Sequence, residues 1–356
     1  MRYADSDLLP FLEGAVAVRR EGTGVWPVRL SDQTLDFTHR ALRDPFTAES
    51  ANGVRLRFVS DRSEMRLRTQ HILSARVRDA AGSGRMTLPA YDVVVDGDLV
   101  HRTRSDSLDE DVRVVTLPVP TGEIVEVWLP HNVGVRILAL ETEGELHPAM
   151  DERRRWVTYG SSITHGAAAA GPSETWPALV ARRRGLHLTN LGFRGECHAD
   201  PFVGRAIGES GADLITVKIG INIHNQQSLR ERTFAPTVHG FLQSIRDGRP
   251  STPLWVISPV FSLEREDSPQ TRAGAGSQAR VGDMTVRDMR QALREAVAVR
   301  RAHGDRLISY IDGLDLLGPA DADRFPDGLH PDSEGMRLMA ERFDDLWNDS
   351  MEGPHQ

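Results

Sequence analysis

The run Tyr159-Gly160-Ser161-Ser162-Ile163-Thr164-His165-Gly166 decides how the rest of the chain is interpreted. An apolar stretch, Trp156-Val157, precedes it, and a helix-forming segment begins near Glu174. A strand that leads through a Gly/Ser turn into a helix holds a serine hydroxyl at the end of a sheet, beside free backbone N–H groups and the positive end of the helix. Serine before a helix is also an ordinary N-cap, so this run alone proves little. It predicts a nucleophile only if the chain also supplies a base and an acid.

A base and an acid occur together near the other end of the chain, in Phe325-Pro326-Asp327-Gly328-Leu329-His330-Pro331. A serine hydroxyl is a weak nucleophile and needs a base within hydrogen-bond reach, usually a histidine that a carboxylate orients. Asp327 and His330 stand three residues apart, so one turn can present both to one cleft. Alone, Asp327-Gly328 is a common turn and His330 an ordinary surface residue. Together with Ser162 they predict a serine-nucleophile enzyme whose catalytic residues are Ser162, Asp327 and His330.

Acyl transfer also requires hydrogen-bond donors aimed at the oxyanion of the transition state. Two strand ends offer such donors. Gly195, in the run 190–195, can present an unobstructed backbone N–H, and Asn222, in the run 218–222, can present its side-chain amide. Each has an alternative, because a turn glycine and a loop-capping asparagine are common. Their order along the chain, each at a strand end, favours an oxyanion hole.

Composition favours a globular enzyme. The chain has 356 residues, enough for two domains, with 39% hydrophobic and 26% charged residues and a net charge of −8, which disfavours nucleic acid and anionic membranes as partners. Its single cysteine, Cys197, excludes an internal disulfide and a thiolate-rich metal site. The acidic start lacks the apolar core of a signal peptide, and no apolar run has membrane-spanning length, so we expect a cytoplasmic protein. The arginine runs 153–155 and 182–184 are expected to be solvated surface.

Two patterns meet near residue 150. Before it, apolar and polar residues alternate in short segments at 54–58, 65–68 and 133–137, which is typical of half-buried antiparallel strands. Within 91–100, Asp96-Gly97 predicts a tight hairpin turn. No helix of useful length is expected between about 50 and 145. Residues 1–148 are therefore predicted to form an antiparallel β-sandwich of jelly-roll type.

After residue 156, strands alternate with helices. Apolar runs lie at 188–191, 214–219, 254–260 and 307–311, and helical segments near 174–184, 233–247, 284–303 and 333–348. This pattern predicts, for residues 149–356, a parallel sheet covered on both faces, with the reactive site beyond the C-terminal ends of the strands. The polar stretch 262–283 is interpreted either as a lid or specificity loop or as a disordered insertion.

In this order the motifs resemble the four blocks of the SGNH (GDSL-type) hydrolase and acyltransferase superfamily, over about residues 156–345. Gly160-Ser161-Ser162 resembles the nucleophile block, Gly195 the glycine of the second block, Gly220-Ile221-Asn222 the Gly-x-Asn of the third, and Asp327-Gly328-Leu329-His330 the Asp-x-x-His of the last. The resemblance implies a three-layer α/β/α, flavodoxin-like domain. It also implies that Ser162 is the nucleophile, His330 the base and Asp327 its orienter. The Ser162 N–H, Gly195 and Asn222 would then form the oxyanion hole.

The chain departs from that pattern at two positions. Ser161 stands where many members have aspartate, which the Gly-Ser-Ser-Ile-Thr variant tolerates, and Ile223 stands where an aspartate often follows the asparagine. Thr164, two residues after Ser162, excludes the Gly-x-Ser-x-Gly elbow of α/β-hydrolases. The front half is similar, through residues 22–27 and 127–132, to the β-sandwich that precedes the catalytic domain in some bacterial members.

Four further residues near the motif loops are candidates for substrate binding: His131, Asn132, His165 and His224. His131 and Asn132 either reach the cleft or satisfy polar groups of their own loop. The other two are interpreted as polar wall of the pocket. No spacing typical of metal ligands accompanies them, so neither a metal nor another cofactor is predicted.

We expect an enzyme that forms an acyl-enzyme from a small-molecule ester or an acyl thioester. With water as the second nucleophile it is an esterase of small molecules or sugars. With an alcohol acceptor such as a glycoside it is an acyltransferase. A third interpretation makes the sandwich a carbohydrate-binding module beside a silent catalytic domain. Acyl length, acceptor and oligomeric state do not follow from the sequence.

Overall fold

The computed structural model describes residues 1–20, 22–83, 86–271 and 280–352. The strands of its N-terminal half are β1 (Arg2–Tyr3), β2 (Leu12–Glu13), β3 (Ala17–Arg19), β4 (Trp26–Val28), β5 (Arg55–Ser60), β6 (Glu64–Ile72), β7 (Ala90–Val95), β8 (Asp98–Arg104), β9 (Val112–Pro118), β10 (Ile124–Trp128), β11 (Gly134–Glu141) and β12 (Leu146–Pro148). Its α-helices are α1 (Asp32–Asp36) and α2 (Ala75–Gly82), and 3-10 turns lie at Asp5–Phe11 and Arg40–Leu42.

These strands form two antiparallel sheets. One has the order β1-β11-β6-β9, and the other has the order β12-β5-β10-β7-β8, with β2 also pairing with β5. Alternate side chains of both sheets share one apolar core, for example Leu67 of β6 and Val125 of β10. Between β7 and β8, Asp96 and Gly97 have φ values of 49° and 84°, as the predicted primed turn requires. The antiparallel architecture predicted for this half is confirmed.

The expectation that no helix lies between residues 50 and 145 is wrong. Helix α2 begins after Ser74, whose hydroxyl accepts a hydrogen bond from the Val77 N–H, and it buries only Val77 and Ala80. A helix with so few apolar positions has no clear 3.6-residue pattern, and it could therefore not be predicted from the sequence.

The C-terminal half contains strands β13 (Arg155–Gly160), β14 (His187–Gly192), β15 (Leu214–Lys218), β16 (Leu254–Ile257), β17 (Gln270–Thr271), β18 (Arg280–Val281) and β19 (Ile308–Ile311). Its helices are α3 (Ser162–His165), α4 (Trp176–Arg184), α5 (Pro201–Glu209), α6 (Ile221–Gln226), α7 (Glu231–Gly248), α8 (Val286–Ala302), α9 (Gly313–Leu316) and α10 (Ser333–Glu352). Further 3-10 turns lie at Pro172–Glu174 and Pro319–Arg324. None of the helices in the described part of the chain combines the length and apolar character needed to cross a bilayer.

Five strands form a parallel sheet in the order β14-β13-β15-β16-β19. Helices α5, α7 and α8 pack on one face and α4 and α10 on the other, so the predicted three-layer fold is confirmed. From β13 the chain first adds β14 on one side and then crosses back to add β15 on the other side, so the order of the strands reverses at β13. In such sheets, this switch point is where ligands bind, beyond the carboxyl ends of the strands.

The two halves contact each other through arginines, of which Arg29 is buried and Arg153 is half-buried. Arg29, in the N-terminal half, donates from Nη1 to the carbonyl oxygens of Asn190 (2.9 Å) and Gly192 (2.7 Å) at the end of β14. Arg153 pairs with Glu126 of β10 at 2.6 Å. The expectation that the run 153–155 is merely solvated is therefore wrong for Arg153, because carboxylates of the sandwich surround it. We retain the division into domains 1–148 and 149–356 as a proposal.

The polar stretch 262–283 is only partly described, because residues 272–279 lie outside the described ranges. On either side of them, β17 and β18 pair as antiparallel strands. The Ser268 carbonyl accepts a hydrogen bond from His224 Nε2 at 2.8 Å, which ties this stretch to α6. Whether it acts as a lid stays a prediction.

Candidate active site

Ser162 is the first residue of α3 and follows β13 at the switch point of the sheet. Ser161 caps this helix, since its Oγ accepts a hydrogen bond from the Ile163 N–H at 3.3 Å. Helix N–H groups of the first turn have no acceptor within the helix, which leaves the Ser162 N–H available to a ligand. Gly160, two residues before Ser162, must lack a side chain, because a Cβ there would overlap Thr164 Oγ1. The sequence thus folds into the turn that was expected from it.

The structure brings Ser162, His330 and Asp327 into one hydrogen-bonded chain. His330 Nε2 lies 2.8 Å from Ser162 Oγ, and His330 Nδ1 lies 2.6 Å from Asp327 Oδ2. Gly328 supports the turn that joins acid and base, with a φ of 72°. Serine and histidine are 168 positions apart in the sequence, so the fold alone brings them together. Such an arrangement can deprotonate the hydroxyl and stabilise the imidazolium that results.

The Asp327 carboxylate is held ionised by its surroundings. Partial burial would raise the pKa of this carboxyl, but the hydrogen bond and charge of His330, together with the backbone N–H groups of His330 and Leu329, hold it well below its usual value. Those N–H groups donate to Oδ1 at 2.7 and 3.0 Å, while Oδ2 faces the imidazole. The carboxylate is therefore fixed in position as well as in charge.

Two further groups place donors at the same cleft. Asn222 Oδ1 accepts a hydrogen bond from the Cys197 N–H at 3.2 Å, which orients the amide so that Nδ2 is left for a ligand. Gly195 has a φ of 74° and lines the cleft, and within the described residues its N–H donates to no other group. A Cβ there would approach only side-chain ends of Arg76 and Gln226 at 3.6 Å or more. The glycine is thus explained by its backbone conformation rather than by lack of space.

The cleft has a volume of about 560 Å³ and receives residues from both halves of the chain. Besides the groups above, it is lined by side chains that the sequence did not indicate, namely Phe46, Arg76, Met86, Thr87, Arg194, Asn225 and Gln226. Three of the elements that carry them are a loop before β5, helix α2 and the segment before β7. Phe46, Arg76, Met86 and Thr87 reach the cleft through the packing of the sandwich on the sheet, whereas Arg194, Asn225 and Gln226 follow β14 or lie on α6.

The four residues predicted as candidates for substrate binding do not line this cleft, as far as the described residues define it. Asn132 is buried and donates to the Thr87 carbonyl at 2.6 Å, and His224 donates to Ser268. His131 and His165 are buried with ring centroids 6.1 Å apart. Burial, and next to it the charge of Arg194, lowers the pKa of His131 to about 3 and that of His165 well below its usual value. Because the imidazoles of His131 and His165 are neutral and enclosed, they pack between the two halves of the chain. This corrects the expectation that they contact the substrate directly.

One group of side chains has the spacing of a cation site: Glu13, Asp151 and His187. Arg55 and Arg153 already pair with Glu13, at 2.9 and 3.2 Å. These cations occupy the place that a metal ion would need, and none of the three side chains lines the cleft. The group therefore fits an ion-pair network better than a metal centre.

The model of the GDSL-like lipase/acylhydrolase family matches residues 153–347, more than half of the chain. The chain belongs to the GDSL-like lipase/acylhydrolase family. The N-terminal half of this family member matches the model of the N-terminal domain of SsfX3 over residues 11–136. The superfamily expected from the motifs is confirmed, and with it an enzyme of acyl-hydrolase or acyltransferase type.

Solved structures resemble this GDSL-like protein over its whole length. The salicylyl-acyltransferase SsfX3 from a tetracycline biosynthetic pathway is 26% identical, with a TM-score of 0.83 and coverage of 100% of this chain and 99% of that one. A GDSL-like lipase from Bacteroides ovatus is 17% identical (TM-score 0.76, coverage 99% and 98%). The acetyl xylan esterase Est2A from the rumen bacterium Butyrivibrio proteoclasticus is 12% identical (TM-score 0.62, coverage 99% and 99%). The last two show the fold alone. No curated protein matches the chain significantly.

Proposed function

We propose that this protein transfers acyl groups through a covalent acyl-enzyme on Ser162, with His330 as general base and Asp327 as the carboxylate that orients it. The observation that carries the proposal is the continuous chain of contacts from Asp327 through His330 to Ser162 in the wall of the cleft. Serine nucleophiles of this type are recognised by geometry and not by sequence position.

The proposed steps follow from that geometry. Nε2 of His330 takes the hydroxyl proton as Ser162 Oγ attacks the substrate carbonyl carbon. The resulting oxyanion accepts hydrogen bonds from the N–H groups of Ser162 and Gly195 and from Asn222 Nδ2. The C–O or C–S bond to the leaving group then breaks, and the His330 imidazolium protonates that group. A second nucleophile, deprotonated by His330, releases the acyl group and regenerates the serine.

Ester hydrolysis is the first form of this function that we propose, on small-molecule or sugar esters. It is supported by the partial exposure of the base and the acid, whose side chains are 25% and 48% exposed and thus open to water. A cytoplasmic location and the absence of nucleic-acid or membrane partners stay predictions from the sequence.

Transfer from a thioester to an alcohol acceptor is the second form, and a specific observation favours it. The chain resembles the acyltransferase SsfX3 over its full length, and its front half matches the SsfX3 N-terminal domain. That half contributes Phe46, Arg76 and Met86 to the cleft, so it can shape an acceptor site and exclude water from it. The interpretation as a carbohydrate-binding protein with a silent catalytic domain has less support, since the catalytic groups lie within hydrogen-bond distance.

The two forms are separated by product analysis with an activated acyl donor. We expect Ser162→Ala to lower the turnover of a 4-nitrophenyl ester by about 10³-fold or more. The matched control is Ser210→Ala, at the end of α5, which should leave this turnover unchanged. With an acyl thioester and a glycoside present, a transfer product that increases with glycoside concentration identifies a transferase. Release of free acid alone, unchanged by any acceptor, identifies a hydrolase. Full activity of Ser162→Ala would contradict the proposal in both forms.

A further inference from the structure

Arg194 lies in the wall of the cleft with a guanidinium for which the fold provides almost no acceptors. The residue directly precedes Gly195 and is 3% exposed. Its Nη2 donates to the Ala167 carbonyl over a long 3.4 Å, its Nη1 lies 3.8 Å from Met86 Sδ, and its buried Nε has no partner. Among the described residues no carboxylate pairs with it. A buried cation without a counter-ion is costly, so its presence in a cleft points to a ligand that supplies the missing charge.

The neighbouring arginines Arg76 and Arg29 find ion-pair or hydrogen-bond partners within the fold. Arg76 pairs with Glu196 at 3.0 Å. Arg29 donates to the carbonyls of Asn190 and Gly192 and, from Nε, to that of Ser50 at 3.0 Å. Only Arg194, of these three, combines a place on the cleft with unused donors. One uncompensated guanidinium matches one negative charge, as a carboxylate carries.

An aromatic ring fixes the position of the Arg194 guanidinium without neutralising its charge. Its Cζ lies 4.8 Å from the centroid of the Phe46 ring, and Arg76 lies 5.1 Å from the same centroid. An aromatic face holds a guanidinium by cation–π attraction and leaves its N–H groups free for an anion. Burial, and next to it the charge of Arg76, lowers the pKa of Arg194 to about 9, so the group still carries its charge at neutral pH.

We propose that Arg194 binds a carboxylate of the substrate, so that the enzyme acts on acyl compounds that carry a negative charge. The inference rests on the proposed function and deepens it by naming a substrate class. The planar fork of arginine matches the two oxygens of a carboxylate, and such bonds are stronger than those between neutral groups. The carboxylate belongs either to the acyl part of the substrate or to its alcohol part, and the two sources can be distinguished by experiment.

Matched pairs of esters test the proposal. Mono(4-nitrophenyl) adipate carries a carboxylate where 4-nitrophenyl hexanoate has a methyl group, and 4-acetoxybenzoate carries one on the alcohol part where 4-methylphenyl acetate has a methyl group. We expect the wild-type kcat/KM to favour the charged member of one pair by about 10- to 100-fold, as expected for a hydrogen bond to a charged group. Arg194→Gln should reduce that ratio to about 1, and Arg194→Lys should keep part of it. Arg205→Gln, which removes an exposed arginine on α5, should leave the ratio unchanged.

A binding measurement separates failure of this inference from failure of the proposed function. By calorimetry, Ser162→Ala should bind monomethyl adipate about 10- to 100-fold more tightly than methyl hexanoate, and adding Arg194→Gln should abolish the difference. If binding shows this preference while no ester is turned over, the Arg194 site stands and the proposed catalysis fails. If esters are turned over through Ser162 but neither pair shows a charge preference in kinetics or binding, the Arg194 inference is overturned.

Discussion

The carboxylate of Asp327 illustrates how a few residues determine the chemistry of a site. Two backbone N–H groups fix one of its oxygens and His330 Nδ1 the other. Because its pKa is held well below the usual value, the group stays ionised at all pH values near neutrality. It can therefore keep the imidazole in the tautomer with the proton on Nδ1, which leaves Nε2 free to accept the serine proton.

Asp327→Asn should lower kcat by about 10³- to 10⁴-fold, because an amide stabilises the wrong imidazole tautomer and carries no charge to balance the imidazolium. Steady-state hydrolysis of 4-nitrophenyl acetate measures the effect. The matched control is Asp323→Asn, because Asp323 is exposed and lies just before the same turn. An Asp327→Asn enzyme within tenfold of wild type would show that this carboxylate does not orient the base.

Asn222→Ala should lower kcat by about 100- to 1000-fold with little change in KM, since it removes one donor to the oxyanion. The Cys197 N–H, which now donates to Oδ1, would lose its acceptor, so a small loss of stability accompanies the kinetic effect. Asn348→Ala on α10 is the control. Unchanged kcat would mean that the amide is not a donor in the transition state.

The residues of the motifs were the predictable part of the cleft. Ser162 stands in a run that indicates a turn at a strand end, and Asp327 and His330 stand in a run that indicates a turn before a helix. The structure places the three together. Phe46 and Met86 could not be predicted in the same way, because their place on the cleft depends on how the sandwich packs against the sheet. His131 was a misleading candidate, since its loop faces the interface between the halves and not the cleft.

At the scale of elements, strand β15 carries an unusual buried residue at its end. Lys218 is the only lysine of the chain, it is 3% exposed, and no described carboxylate pairs with it. Burial lowers the pKa of its ammonium group from 10.5 to about 8, with a smaller opposing effect from Cys197. Between pH 8 and 10.5 the Lys218 side chain therefore binds more protons in the unfolded chain than in the folded one. The free energy of unfolding rises with pH over this range, because the cost of burying the charge disappears.

Lys218→Met should stabilise the protein by about 1–3 kcal/mol at pH 7, because methionine fills the same space without a buried charge. The gain should shrink between pH 7 and 9.5 as the wild-type ammonium loses its proton. Urea unfolding at both pH values measures it, and Arg306→Met, at an exposed site, should show no such pH dependence. A variant that is less stable than wild type at pH 7 would contradict the interpretation.

Elements with a strong apolar pattern were predicted well and those with few apolar residues were not. The apolar runs at 188–191, 214–219, 254–260 and 307–311 all contribute strands to the parallel sheet, since strands covered on both faces are apolar throughout. Helix α2 was missed because it buries only two side chains. Helix α5 was missed as well. It is short, and its glycines allow close packing on α7 but resemble loop residues in the sequence.

At the scale of the whole molecule, the two halves form one active-site cleft and are joined by the buried guanidinium of Arg29. Its donors bond to backbone carbonyls on both sides of the interface. Nothing in the sequence around Arg29 indicated this role, because the acceptors are main-chain groups without a sequence pattern. The fold of each half could be predicted, but the contact between them could not.

Arg29→Met should lower the free energy of unfolding by about 2–5 kcal/mol, because several buried carbonyl groups lose their donor. It should also reduce turnover, since the end of β14 that it supports leads into Gly195. Urea unfolding followed by tryptophan fluorescence measures the loss, with the exposed Arg40→Met as control. Equal unfolding free energies for both variants and wild type would show that the halves do not depend on this residue.

If Ser162 is the nucleophile, a reagent that reacts with activated serines should modify it covalently. The native protein is treated with a fluorophosphonate, and the modified residue is located by peptide mass spectrometry. We expect a single adduct on the peptide that contains Ser162, strongly reduced in Asp327→Asn and absent in Ser162→Ala. An unlabelled native protein, or an adduct on another residue that persists in Ser162→Ala, would contradict this expectation.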